Sequence, residues 1–342
     1  MPSHEQSHEP FHEPRRDDCP WCGARRLRTR VRTPDPARRT PGPFVVDECR
    51  DCGHAFQNPR ITDRALAVRD ARGRPDPSVE RVLGARGIRR RHRAAARAML
   101  PYPEPESWLD VGTGHGQFPE TAREVHAYTS FDGLDATPRV QRARAAGRIE
   151  EAHQGLLTDP EITARLRGRY DVVSMLHHLE HTPDPRAELR AALDVLRPGG
   201  HLIVEVPDPG SAFGTLLGTW WVAYDQPRHL HLMPLRNLTR ELRAQGCTVV
   251  ATDRRTPHVP YDLTGALCLV LTRRRAGTTL TRACAPLLAT AVALDVGLAP
   301  LLSRTRFSNA YRIIVRRPAR TSEASPPEAS PPEASPPEAS PA

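Results

Sequence analysis

The polar and apolar positions of this chain fall into two kinds of run. The first is short and apolar, and its clearest example is Trp108-Leu109-Asp110-Val111, which suits a strand covered on both faces. Further strands are read at 131–135, 170–176, 201–206, 247–251 and 311–315. The second kind has helical spacing. Val140 and Ala143 follow Thr137-Pro138, read as N-cap and first helical residue, and the pattern stops at Gly147. Leu189, Leu193 and Leu196 follow Asp184-Pro185 and lie on one face, and Leu235, Leu238 and Leu242 run out at Gly246. The alternation predicts an α/β domain.

Gly112, Gly114 and Gly116 follow the first strand at alternate positions, as suits a turn where backbone passes close to a ligand. Their G-x-G-x-G spacing differs from the G-x-G-x-x-G of dinucleotide binders. A Rossmann-like site places an acid about 20 residues downstream to hold a ribose diol, and Asp135 stands there. A helix-capping role is the plainer alternative for Asp135. The run 170–176 leads into His177-His178-Leu179-Glu180-His181, at the strand end where open α/β sheets bind ligands.

The pieces LDVGTGHGQF, GLDATP, YDVVSMLHHLEHTPDP, LRPGGHLIVEVP and QPRHLHLMPLRNLTRELRAQGC span about 105–253 in that order. Together they resemble the class I S-adenosylmethionine-dependent methyltransferases, in particular a subgroup with LEH after the fourth strand and PRHL before the last helix. The resemblance implies a Rossmann-like, seven-stranded sheet and S-adenosyl-L-methionine as cofactor. Gly112, Gly114 and Gly116 would lie against its methionyl and ribose parts. Asp110 would reach the ammonium group, directly or through water, and Asp135 would accept both ribose hydroxyls. The family's acid beside the adenine is missing here, which leaves Gln154 or Leu156 to line the ring; Met175 completes the expected cofactor set. Methyl transfer works by proximity and orientation, with removal of a proton when the acceptor is a hydroxyl or an acidic carbon. His181 is the first candidate base and His229 the second, with Glu180 beside them; Arg228 would pair with an anionic acceptor or with Glu180. The competing reading has Glu180 and His181 hold their loop together by hydrogen bonds.

Cys19-Pro-Trp-Cys22-Gly23 and Cys49-Arg-Asp-Cys52-Gly53 supply four thiolates, enough to close a structural Zn²⁺ site with no position open to water. Two unrelated redox or buried pairs are the alternative. His54 could substitute as a ligand, although a loop histidine is the plainer reading. The zinc-binding module is placed at 18–60, after a polar segment, 1–17, expected to be disordered. A helical linker or cap occupies 61–105, with one helix starting at Thr62-Asp63 and a longer one from 78 to 100. The latter carries Arg89, Arg90, Arg91, Arg93 and Arg97, either a solvated face or a contact to an anionic substrate or RNA.

The methyltransferase domain is placed at 106–317, with insertions at about 207–232 and 254–306. The first insertion holds Phe213, Leu216, Leu217, Trp220, Trp221 and Tyr224, a lid over substrate or simply core. In the second, 283–302 is nearly all apolar but is broken by Pro286, Asp295 and Pro300. It is read as an amphipathic helical pair rather than a membrane span. Docking on the sheet, a homodimer contact and membrane-surface association all stay open for it. The Glu-Ala-Ser-Pro-Pro repeat in 318–342 predicts an extended, disordered tail.

Composition changes this picture in three places. All 49 basic residues are arginine, so the net charge of +9 partly reflects coding bias, yet it still favours anionic partners. His4, Glu5, Glu9 and Glu13 stand where a signal peptide would be apolar, which leads us to expect a cytoplasmic protein. There, seven cysteines are ligands or buried thiols rather than disulfides. A G-x-S-x-G elbow is missing, which excludes a serine hydrolase of that type. The expectation is therefore methyl transfer to oxygen or carbon of a small-molecule or glycan acceptor, such as a sugar or secondary metabolite. A zinc-finger RNA methyltransferase, with nucleic acid as partner, and a non-catalytic Rossmann interaction protein compete with it. The lack of an N-P-P-Y-type motif counts against methylation of base amines.

Overall fold

The computed structural model describes residues 11–35, 42–62, 78–273 and 278–319. The expectations for 1–10, for a helix start at Asp63 and for the repeat tail beyond 319 lie outside the described residues; 11–17, expected to be disordered, are instead tied to the N-terminal module by a His12–Ile61 bridge and by bonds of Arg15 and Arg16 to Asn58. Two sheets organise the chain. The N-terminal module contributes β1 (Leu27–Pro34), β2 (Pro43–Cys49) and β3 (Ala55–Gln57), all antiparallel. A long helix, α1 (Ser78–Arg97), leads into β4 (Ser107–Val111), α2 (Gln117–Ala122), β5 (Ser130–Asp135), α3 (Arg139–Ala145), β6 (Ala152–Gln154) and α4 (Pro160–Leu166). Next come β7 (Tyr170–Leu176), α5 (Pro185–Val195), β8 (Leu196–Pro207), α6 (Ala212–Leu216), β9 (His231–Leu232) and α7 (Leu235–Ala244). The chain continues with β10 (Thr248–Asp253), α8 (Asp262–Arg273), α9 (Thr278–Ala283), α10 (Ala285–Leu302) and β11 (Ala310–Arg316).

The larger sheet has seven strands in the order β10-β11-β8-β7-β4-β5-β6, with β11 antiparallel to both neighbours. This is the Rossmann-like methyltransferase architecture that the motif order implied. Strand β4 lies between β5 and β7, parallel to both, so the chain reverses its direction of travel across the sheet there. Ligands of open α/β sheets bind at such a switch point, outside the strands' carboxyl ends. Trp108, Leu109 and Val111 are buried there as the apolar run predicted. Trp108 packs among Phe118, Phe131 and the Ala95, Ala96 and Met99 end of α1, which fixes that helix over the sheet.

Several boundaries differ from the sequence reading. Helix α3 starts one residue late, with Pro138 as its cap, because Thr137 is tied by N–H and O–H to Asp135. Leu196 does not end the α5 face; it is buried at the start of β8, paired with Tyr170. The 207–232 insertion is core rather than lid. Phe213, Trp221 and Tyr224 pack with Val31, Val46, Ala55 and Leu232, so they join the N-terminal module to the domain. Helix α10 is apolar all round rather than amphipathic. Its buried Asp295 accepts from the N–H groups of Leu263 (3.1 Å) and Thr264 (2.8 Å), capping α8.

Between β8 and β11 lies a buried ion pair: Arg312 donates to Glu205 through Nη2 at 2.8 Å and Nε at 3.1 Å. Burial works against the Glu205 charge, but Arg312 and its other neighbours hold its carboxyl well below the usual range. Removing Arg312 leaves the buried Glu205 charge without its closest partner, with only Arg91 at 3.2 Å and His177 at 3.4 Å beside its other oxygen. Arg312→Met should therefore destabilise the fold by about 3–5 kcal/mol in urea unfolding, and adding Glu205→Gln should recover much of that loss.

Candidate functional site

The carboxyl ends of β4, β5 and β7 meet at one cleft. The glycine turn after β4 uses left-handed backbone at all three positions, with φ of +75° at Gly112, +55° at Gly114 and +72° at Gly116. Any other residue would carry strain there. The N–H groups of Gly112 (2.8 Å) and Thr113 (3.1 Å) donate to the Leu134 carbonyl, pinning the turn to β5. The Gly114 N–H donates to Asp135 Oδ2 at 3.0 Å, and nothing stands within 4 Å of where a Gly114 Cβ would be. Asp135 Oδ1 accepts from Thr137 N (2.8 Å) and Oγ1 (2.6 Å), so its carboxylate is oriented at a partly open rim. Gly114 and Asp135 therefore face one shared space.

Asp110 lies beneath this turn, buried, and accepts from Ser174 Oγ at 2.7 Å; Trp108 Nε1 in turn donates to Ser174 at 3.0 Å. Burial pushes the Asp110 carboxyl up to about 6. Gln154 ends β6 with an exposed side chain, and Leu156 beyond it is 54% exposed. Met175 is a correction. Its side chain has no exposed surface and packs in the core with Leu109 and Val173, because alternation along β7 turns Ser174 rather than Met175 toward Asp110.

The segment after β7 builds a second cluster beside the turn. His177 takes a left-handed φ of 53°, unusual for a residue with a Cβ. Its Nδ1 lies 3.2 Å from Glu180 Oε1, and its Nε2 lies 2.7 Å from Arg91 Nη2 and 3.4 Å from Glu205 Oε1. Burial lowers the pKa of this ring, but its two carboxylates outweigh burial and the Arg91 charge and raise it. His178 bonds Glu188 at 3.0 Å and lays its ring over Gly112, where a Cβ would approach Nδ1 to 2.5 Å. Glu180 is fully buried, and its Oε2 has no hydrogen-bond partner among the described residues. Burial raises its pKa, but the His177 contact outweighs this and leaves it below the ordinary value.

The structure brings His181 and His229 together, with ring centroids 4.8 Å apart. His181 donates through Nδ1 to the Arg228 carbonyl at 3.0 Å, and His229 through Nδ1 to the Ala223 carbonyl at 2.7 Å. Each bond sets the tautomer that puts the lone pair on Nε2. Burial lowers the His229 pKa. Arg228 pairs with Asp225 at 2.8 Å and not with Glu180. The sequence reading had His177 and His178 within the candidate segment and Arg91 on a basic helix, but it did not bring the three together. The adjacent histidines at a strand end were the available signal; the left-handed bend that turns His177 toward Arg91 was not legible. Arg89 and Arg93 of the same helix ion-pair with Glu124 instead, so the solvated-face reading describes them.

In the N-terminal module the ligand atoms of Cys19, Cys22, Cys49 and Cys52 all lie within 4.8 Å of one another. The Sγ–Sγ separations of 3.7 Å (Cys19–Cys52) and 3.6 Å (Cys22–Cys49) are too long for disulfides. They match the edge of a tetrahedron with about 2.3 Å metal–sulfur bonds, roughly 3.8 Å. The donor set therefore fits a four-thiolate Zn²⁺ site. His54 stands in the loop between β2 and β3, as read, but it is fully buried, and its Nε2 meets His231 Nδ1 at 3.0 Å. His231 Nε2 reaches the Pro183 carbonyl at 3.2 Å, and the Leu230 N–H donates to the Glu180 carbonyl at 2.8 Å. Strand β9 pairs with β3, so the knuckle is stitched to the loop that carries Glu180 and His181.

Residues 84–252 match a family model described as a methyltransferase domain. Among curated proteins, the chain is similar to the ubiquinone biosynthesis O-methyltransferase of Alkalilimnicola ehrlichii, at 32% identity over 126 residues, covering 36% of this chain and 51% of that one. The protein of the same name from Marinobacter nauticus is 33% identical over 138 residues, covering 36% and 54%. The chain thus spans about half the length of the curated relatives it matches. Among solved structures, it is similar to a SAM dependent methyltransferase from Archaeoglobus fulgidus, at 17% identity, 71% and 100% coverage, and a TM-score of 0.46. Phospholethanolamine N-methyltransferase 2 of Haemonchus contortus gives 16% identity, 77% and 62% coverage, and a TM-score of 0.49.

The geometry of the turn makes a direct prediction. Gly112→Ala should cost at least about 1–2 kcal/mol in urea unfolding, from left-handed strain alone. The clash with the His178 ring adds to this, and His178→Ala in the same chain should restore that added part only.

Proposed function

We propose that this chain, whose residues 84–252 match a model described as a methyltransferase domain, moves the methyl group of S-adenosylmethionine to a hydroxyl oxygen of a small-molecule acceptor. The observation that carries this reading is the cleft shared by Gly114 and the Asp135 carboxylate. Open space above a glycine accepts the adenosyl group at close range, and a pre-oriented carboxylate accepts both hydroxyls of a ribose diol. Asp110, deeper in the site, is the counter-charge for the cofactor's ammonium group. Gln154 and Leu156 are left to flank the adenine, a looser contact than an acid would make. When bound, the cofactor supplies an electrophilic methyl on sulfur.

The chain's own part is to hold the acceptor in line and to take its proton. His181 and His229 each have Nδ1 pinned by a carbonyl, which leaves Nε2 as the basic atom. The ionised Glu180 beside them favours the imidazolium that forms. Oxygen as the accepting atom is supported by the names of the curated relatives, which are O-methyltransferases. A nucleic-acid acceptor has less support, since Glu124 neutralises two arginines of α1. The four thiols of the N-terminal knuckle hold a structural Zn²⁺ in this reading, and its role is to set β3 and hence β9 and the His229 segment.

Methyl transfer from labelled cofactor to hydroxylated and phenolic metabolites tests the assignment; a purified chain with no calorimetric affinity for S-adenosylhomocysteine would sink it. Asp135→Ala should weaken that affinity about 10- to 100-fold, the worth of hydrogen bonds to a charged group. Affinity should also fall as pH drops through about 6, where Asp110 takes up a proton and loses its charge. The acid limb of kcat should lie below the ordinary histidine value of about 6.5, since the base must be neutral and burial lowers the His229 pKa. Chelation that strips Zn²⁺ should lower the melting temperature, and a zinc-to-protein ratio near zero in active protein would remove the metal from this account.

A further inference from the structure

Helix α10 lies on α8 and turns most of its apolar residues outward. Its inner stripe is Ala291 and Asp295, buried, with Leu288, Val292 and Ala299 half-buried beside them. Around the rest of its circumference Leu287 (56% exposed), Leu294 (45%), Leu298 (41%) and Leu301 (64%) form one flank and Val296 (56%) stands on the other, all open to solvent. Its mean hydropathy is 1.8 over 18 residues, of which 11% are buried. A helix packed on one side of a soluble domain carries polar residues on its other side. An exposed apolar face of this kind marks an interaction surface.

The flanking charges say which partner fits. Arg282 precedes the helix and Arg304 and Arg306 follow it; all three are exposed, and no ion pair is recorded for them among the described residues. Asp295 is the only acid between 278 and 319, and it faces inward to cap α8. A second copy docked on this face would bring arginine against arginine in either helix direction, and 278–319 offers no outward-facing acid to meet them. Such like-charge contacts oppose pairing. An anionic bilayer surface meets both halves of the pattern: leucines enter the acyl boundary and arginines pair with phosphates.

We propose that α10 is an in-plane docking helix that seats this protein on anionic lipid surfaces. It lies on the membrane rather than across it, because its inner face is committed to α8 through Asp295.

Flotation of the full chain with vesicles tests this. The protein should float with phosphatidylglycerol–phosphatidylcholine vesicles, remain below with phosphatidylcholine alone, and detach as salt rises. Joint substitution Arg282→Glu, Arg304→Glu and Arg306→Glu should reduce partitioning roughly a hundredfold. Leu294→Ser with Leu298→Ser and Leu301→Ser should also abolish flotation, with melting temperature and cofactor affinity unchanged as the check on folding. Failure of the unaltered chain to float with the anionic vesicles overturns the proposal, as does flotation indifferent to the leucine substitutions. A dimer in sedimentation that those substitutions dissolve, without vesicle binding, overturns it in favour of a second copy.

Discussion

The hydrogen bond from Gly114 N–H to the Asp135 carboxylate is the contact on which the rest of the site depends. It joins the turn after β4 to the tip of β5 across the sheet's switch point. It forms only because Gly112, Gly114 and Gly116 can all hold left-handed backbone, which keeps amide groups pointed at the neighbouring strand tip. The same conformation leaves the space over Gly114 empty of side chain. A cleft that is both polar at its rim and open at its floor follows from three missing Cβ atoms.

Around that turn, buried neighbours push three carboxylates in different directions. Glu205 is held ionised by Arg312, and through Arg91 and His177 the same network extends to Glu180. Asp110, with the Ser174 hydroxyl as its partner, is pushed the other way by burial. Two acids a few residues from one cleft thus sit on opposite sides of their ordinary range. Such divergence is set by neighbours rather than residue type.

The N-terminal module is part of this architecture rather than an appendage. Its sheet takes its last strand from residues 231–232, and its buried His54 meets His231, which bonds the Pro183 carbonyl beyond His181. Trp21, between two of the four cysteines, is covered by the Arg186 guanidinium of α5 at 4.8 Å. A disturbance at the cysteine knuckle would reach the histidine pair through rigid, mostly buried contacts. That gives a physical reason for a four-thiol cluster to accompany this domain.

Local chemistry was enough to determine much of this from the chain alone. Continuous apolar runs, glycines at alternate positions, Asp-Pro helix starts and paired C-x-x-C-G turns each have a short-range cause, so β4, the Asp135 tip, the α5 start and the cysteine cluster were all legible. The tertiary structure decided whatever depended on a distant partner. Met175 became core because of strand alternation, and Leu196 passed from helix to strand because it had Tyr170 to pair with. His177 gained its role from Arg91, 86 residues away, and His54 gained its place from His231, 177 residues away. The 207–232 segment became core because β1–β3 stood ready to receive it, and α10 kept its leucines outside because α8 covers one face only. Spacing along a chain encodes periodicity; which side of an element meets another is settled when the elements pack.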